Sequence, residues 1–169
     1  MKKASWIVLA LALLAVGARP ASAQFRIGPN LTFADDFDLG IGAIALFGIG
    51  NITSSSAITG TAGAEYYVSP CDNCTYFEIT AGALYGFNTS GSARPSVGGA
   101  LNFGRFSYDA PTQIPGVDFD FTNSEIGLAI LGQLGFPLGT LSGLANARLT
   151  ISGYEQLVLG FAILFGGGG

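Results

Sequence analysis

From Gln24 onward, hydrophobic and polar residues alternate with period two in one segment after another, the pattern of β-strands whose two faces meet unlike surroundings. In residues 24–33, Phe25, Ile27, Pro29, Leu31 and Phe33 fall on one parity, and Gln24, Arg26, Gly28, Asn30 and Thr32 on the other. Residues 58–68 set Ile58, Ala62, Ala64, Tyr66 and Val68 against Thr59, Thr61, Glu65 and Tyr67. Residues 76–88 set Phe77, Ile79, Ala81, Ala83, Tyr85 and Phe87 against Glu78, Thr80, Leu84 and Asn88. Residues 125–136 place Ile126, Leu128, Ile130, Leu134 and Phe136 opposite Gln133 and several Gly or Ala. The same separation runs through 145–152 and 157–165. Two further segments are less regular: 39–49 is apolar on both parities, and 97–108 puts Arg105 on the parity of Leu101 and Phe103. The second is read as reaching a membrane edge near Arg105, or as carrying a bulge there.

Eight such strands predict an all-β fold, an eight-stranded antiparallel up-and-down transmembrane β-barrel, in which an even strand number goes with short inner turns and longer outer loops. With the N-terminus starting on the inner side, the outer loops are 34–37, 69–74, 110–121 and 153–155, and the inner turns are 50–55, 90–95 and 137–141. Aromatic residues then gather at the two expected interfaces. Phe25, Phe47, Phe87, Phe136 and Phe165 lie at one end, and Phe33, Tyr66, Phe77, Phe106, Tyr108, Phe121 and Tyr154 at the other.

Composition supports a lipid environment. About half the chain is hydrophobic and only 11% is charged, against roughly a quarter charged in soluble domains. No segment after residue 23 supplies the ~18 consecutive apolar residues of a membrane helix. Residues 1–23 read as a cleaved secretory signal peptide, with Lys2 and Lys3, an apolar run from Ile7 to Val16, and Ala21-Ser22-Ala23 before the cut. The barrel is assigned to 24–165 and a glycine tail to 166–169. Without the signal the chain has four Arg, no Lys and eleven acidic residues, a net charge of −7, which excludes a nucleic-acid partner of the usual basic kind.

The ending Leu157-Val-Leu-Gly-Phe-Ala-Ile-Leu-Phe165, together with the strand plan, resembles the small eight-stranded outer-membrane proteins of the OmpA-barrel and OmpX type. The resemblance is architectural and covers nearly all of 24–169. It implies a bacterial outer-membrane location, a lipid partner, and recognition of the last strand by the assembly machinery. Gly166 to Gly169 depart from it, because the family pattern stops at the aromatic.

An eight-stranded barrel leaves an interior just wide enough for side chains. Arg26, Glu65, Glu78, Glu125 and Arg148 are expected to face inward and form a polar network plugging the lumen, since charges taken from water must pair. Cys71 and Cys74, beside Pro70 in an outer loop, are expected to form a local disulfide in an oxidising compartment. Asp35, Asp36, Asp118 and Asp120 are candidate Ca²⁺ or Mg²⁺ ligands, or simply part of a solvated acidic rim; no metal motif specifies a site. The chain has no His, which removes the usual general base, and no Gly-x-Ser-x-Gly elbow. No cofactor is indicated.

The expected function is therefore that of a non-enzymatic outer-membrane barrel with a structural or loop-mediated interaction role. A narrow, porin-like channel or binder for a small or apolar solute is the first alternative, with Ile44 and Leu46 facing inward and loop 110–121 as a lid. A soluble secreted barrel that buries the alternating apolar face is the second.

Overall fold

A computed structural model describes residues 25–53, 56–68, 73–109 and 120–166. Eight strands follow in chain order: β1 (Arg26–Ala34), β2 (Asp38–Thr53), β3 (Ser56–Tyr67), β4 (Cys74–Phe87), β5 (Arg94–Asp109), β6 (Asp120–Leu138), β7 (Leu141–Thr150) and β8 (Gln156–Gly166). Each pairs antiparallel with its neighbours, and β1 pairs with β8, so the sheet closes as an up-and-down barrel with no free edge. Closure satisfies the backbone of every strand internally, the condition for a sheet in hydrocarbon.

The parities separate as the alternation demands. Leu31, Leu128, Leu149 and Leu159 point outward and are exposed, and Ile126 reaches 71% exposure. Asn30, Thr32, Glu65, Glu78, Asn102 and Arg148 point inward and are buried. A soluble barrel would have the apolar parity inside, whereas here it covers the outer wall. In β2 the ambiguity of 39–49 resolves by filling: Ile44 and Leu46 occupy the lumen, and Leu39, Ile41 and Phe47 face out.

The β4–β5 and β5–β6 registers run through Arg105 without a shift. Arg105 therefore points outward from an unbulged strand, close to its loop-side end. The irregularities fall instead in β2–β3, between Gly48 and Gly50 and between Asn51 and Thr53. The 137–141 turn tightens to two residues, because Leu138 pairs with Leu141 and Gly139 takes φ +64°, a left-handed conformation that favours glycine. At Gly98 a Cβ would stand 1.9 Å from the Ala83 carbonyl oxygen. Only glycine allows β4 and β5 to approach so closely in a barrel this narrow.

The lumen is filled in three layers. Toward the short turns, Ile44, Leu46, Leu84, Ala100, Leu131, Leu144, Ala162 and Leu164 form an aliphatic plug. Toward the loops, Ala34, Tyr67, Tyr76 and Val158 pack with Phe37, Phe106 and Tyr154. Phe106 and Tyr154, assigned above to the outer rim, thus turn inward. Phe37 stacks on Tyr76 with centroids 3.9 Å apart, and Tyr154 meets Phe37 edge-on at 6.4 Å. Their rings close the loop-side mouth because inside they have aromatic partners at favourable centroid distances. Polar side chains fill the middle.

Candidate functional site

The middle layer is organised by Arg148 on β7. Glu65 and Glu78 are direct cross-strand partners on β3 and β4, an arrangement that repels if both are ionised. The Arg148 guanidinium forks between them: Nη1 donates to Glu65 Oε2 at 3.2 Å, and Nη2 donates to Glu78 Oε2. A planar five-donor group suits this bridging role better than an ammonium. Both carboxylates and the guanidinium are nearly sealed from solvent, so their remaining hydrogen-bonding capacity has to be met by protein.

Neighbouring strands supply the partners. Asn30 Nδ2 on β1 donates to Glu65 Oε1 at 3.0 Å. Asn102 Nδ2 on β5 donates to Glu78 Oε1 at 2.6 Å and to Thr150 Oγ1 at 2.9 Å. Thr80 Oγ1 accepts from Arg148 Nη1 at 2.6 Å and donates to Asn102 Oδ1 at 2.7 Å. Tyr67 OH accepts from Arg148 Nη2 and donates to Glu78 Oε2. Gln156 Nε2 on β8 reaches Tyr76 OH and Glu78 Oε2, and Asn146 Nδ2 donates to Asn30 Oδ1. One connected network thereby ties β1, β3, β4, β5, β7 and β8 across the lumen.

The five charged residues named from the sequence do not all meet. Glu65, Glu78 and Arg148 come together. Glu125 lines a gap beside Glu78 with Tyr76, Asn102 and Tyr154, and accepts from Asn123 Nδ2 at 3.1 Å rather than from Arg148. Arg26 sits half-buried at the opposite, turn-side end, beyond the aliphatic plug. Asn30, Tyr67, Tyr76, Thr80, Asn102, Thr150 and Gln156 complete the network without having been singled out. Their inward parity was the available signal: Tyr67 shares it with Glu65, Tyr76 and Thr80 with Glu78, Thr150 with Arg148, Asn30 with Arg26 and Gln156 with Val158, while Asn102 lies opposite the parity of Leu101 and Phe103.

The candidate loop sites are dispersed. The Asp35 carboxylate accepts the Leu157 N–H at 3.0 Å while its own N–H donates to the Leu157 carbonyl at 3.1 Å, so it fastens β1 to β8. Asp36 lies in the β1–β2 turn and Asp120 begins β6. Asp118 and Cys71 lie outside the described residues, and Cys74 begins β4. No group of metal-ligating side chains is present among the described residues.

A lumen cavity lined by Ile44, Glu65, Thr80, Gln133, Asn146 and Arg148 among others measures about 20 Å³, room for one water. A second, beside Glu125, has no such room. Packing of this kind holds strands together.

No protein-family model matches the chain, and no curated protein does. Solved structures do. The attachment invasion locus protein Ail of Yersinia pestis aligns with TM-score 0.58 at 14% identity, over 85% of this chain and 95% of that one. Ail is also known in complex with the heparin analogue sucrose octasulfate. The N-terminal β-barrel domain of Pseudomonas aeruginosa OprF gives 0.63 at 13% identity, over 85% and 98%. A major outer membrane protein of Thermus thermophilus gives 0.57 at 13%, over 85% and 98%. The chain therefore has the fold of the small eight-stranded outer-membrane β-barrels.

Proposed function

We propose that the protein spans a bacterial outer membrane as a closed, non-enzymatic barrel that contributes to the envelope and presents short loops for contacts. The observation that carries this reading is the inverted partition of side chains, with a continuous exposed apolar wall around a polar, ion-paired lumen. Water stabilises the opposite arrangement; a hydrocarbon phase stabilises this one. Lipid is the partner of the outer wall. The assembly machinery meets β8, whose Leu157, Leu159, Phe161 and Phe165 face outward.

The filled lumen favours a plug over a porin-like path. In planar bilayers the purified protein is expected to give no stable conductance, and a steady open state would overturn the plug. Residues 1–23 act in this reading as a leader removed on export, so mature protein from outer membranes should begin at Gln24 by mass. A Cys71–Cys74 bridge belongs to the same exported state and adds 2 Da on reduction.

The described loop side carries Asp35, Asp36, Asp38, Asp109, Asp120 and Glu155. That charge opposes sulfated polyanions, so the heparin analogue seen on Ail does not transfer to this chain. Fractionation with an unboiled gel tests the proposal as a whole. The protein should partition with outer membranes and shift mobility on heating; recovery from the soluble fraction without detergent would defeat it.

A further inference from the structure

The two ends of the barrel differ in charge. Every acidic residue among the described ones lies in the loop-side half or the middle layer, and residues 50–53, 88–93 and 139–140 at the turn side include none. At that turn-side end stand Arg26, the first residue of β1, and Arg94, the first residue of β5. In an eight-stranded ring β1 and β5 are opposite walls. Arg26 shares the inward parity of Asn30, and Arg94 that of Asn102. Both residues therefore stand on the inward parity of facing walls at the same mouth.

Neither has an acidic counterpart. Both ion pairs among the described residues belong to Arg148, which the aliphatic plug separates from this end. Arg26 Nε is buried with no hydrogen-bond partner. Beneath the pair lies the apolar floor that includes Leu46 and Leu164. Two like charges held over a low-dielectric floor repel, and an oxyanion between them converts that repulsion into two sets of charge-assisted hydrogen bonds. The planar fork of each guanidinium matches two oxygens of a phosphate.

We propose that Arg26 and Arg94 form an oxyanion-binding clasp across the turn-side mouth, suited to a phosphate group. The inference rests on the membrane reading only for the source of the anion. A free phosphate would come from the aqueous space facing the turns, and a bound one from a lipid headgroup at the rim.

The test uses the mature protein folded in a neutral detergent, with folding verified by heat-dependent gel mobility and binding of inorganic phosphate followed by calorimetry. Saturable binding is expected, weakened at least ~10-fold in Arg94→Gln, whose side chain is exposed and not part of the packed lumen. Arg105→Gln, on the outer wall, should bind like the parent. Repeating the titration in phosphatidylcholine vesicles with and without phosphatidylglycerol separates the sources: loss of phosphate binding only with the anionic lipid assigns the clasp to headgroups. Absence of saturable binding by the folded parent, or equal affinity in Arg94→Gln, would overturn the clasp while leaving the membrane reading intact. Solubility without detergent would overturn the membrane reading and leave the phosphate titration in force.

Discussion

Arg148 and Leu149 are adjacent in β7 and live in opposite media. Arg148 is 6% exposed and bonded to Glu65, Glu78, Tyr67 and Thr80 inside the barrel, whereas Leu149 is 46% exposed on the outer wall with its side chain unpaired in the wall's apolar surface. One step along a strand takes the chain from a sealed ionic network to an apolar exterior, because the side-chain period is two. The lesson is that on the proposed membrane reading hydrophobicity here locates lipid, and polarity locates the packed interior. Stability in the lumen then comes from ion pairs and hydrogen bonds among polar groups, while outside it comes from compatibility with hydrocarbon.

Removing the centre of the network should show the largest effect. Arg148→Met leaves Glu65 and Glu78 facing each other in a sealed lumen, and is expected to cost about 3–5 kcal/mol in urea unfolding from detergent or lipid. Combining it with Glu65→Gln and Glu78→Gln should restore most of the loss, since no uncompensated charge then remains. A triple variant as unstable as the single one would show that shape, not charge, is what Arg148 provides.

The aliphatic plug gives a second comparison inside the lumen. Leu84 is 1% exposed, so Leu84→Ala removes buried methylenes and is expected to cost about 3 kcal/mol. Unlike the Arg148 loss, this one should not be rescued by changing any charge. Across the wall, Leu31→Arg, at the middle of β1 on the exposed outer face, should cost about 2 kcal/mol in lipid, the penalty of a cation on the lipid face away from the interface. It should be nearly neutral if the outer wall meets water. The smallest effect is expected at the seam: Asp35→Ala removes the carboxylate that accepts the Leu157 N–H, and should lower stability by about 1 kcal/mol.

Period-two alternation made the barrel legible before any coordinates, as it fixed the strand count and the facing of Glu65, Glu78 and Arg148. Even the doubly apolar β2 could be placed, because Ile44 and Leu46 fall on one parity. What alternation does not carry is height along the axis. Arg26, Glu125 and Arg148 share an inward parity, yet the cross-strand registers put Arg26 beyond the plug, Glu125 beside Asn123, and Arg148 between the two acids. Height depends on strand stagger, which accumulates around a barrel and leaves no local mark in a single strand. The same blindness sent Phe106 and Tyr154 to the outer rim. Near a mouth an aromatic ring has two apolar destinations, and the stack of Phe37 on Tyr76 makes the inner one available. Gln156 carried a usable signal, since it shares the parity of Val158, but it adjoins a loop and its partner Tyr76 is 80 residues away.

The most direct measurement is nitroxide accessibility along β6. With Cys71 and Cys74 changed to Ser, single labels at positions 126 to 130 in lipid vesicles would report oxygen and a water-soluble nickel complex as relaxing agents. The account predicts high oxygen and low nickel accessibility at 126, 128 and 130, with both low at 127 and 129, where Gly127 and Ala129 face the filled lumen. High nickel accessibility at 126, 128 and 130 would contradict it.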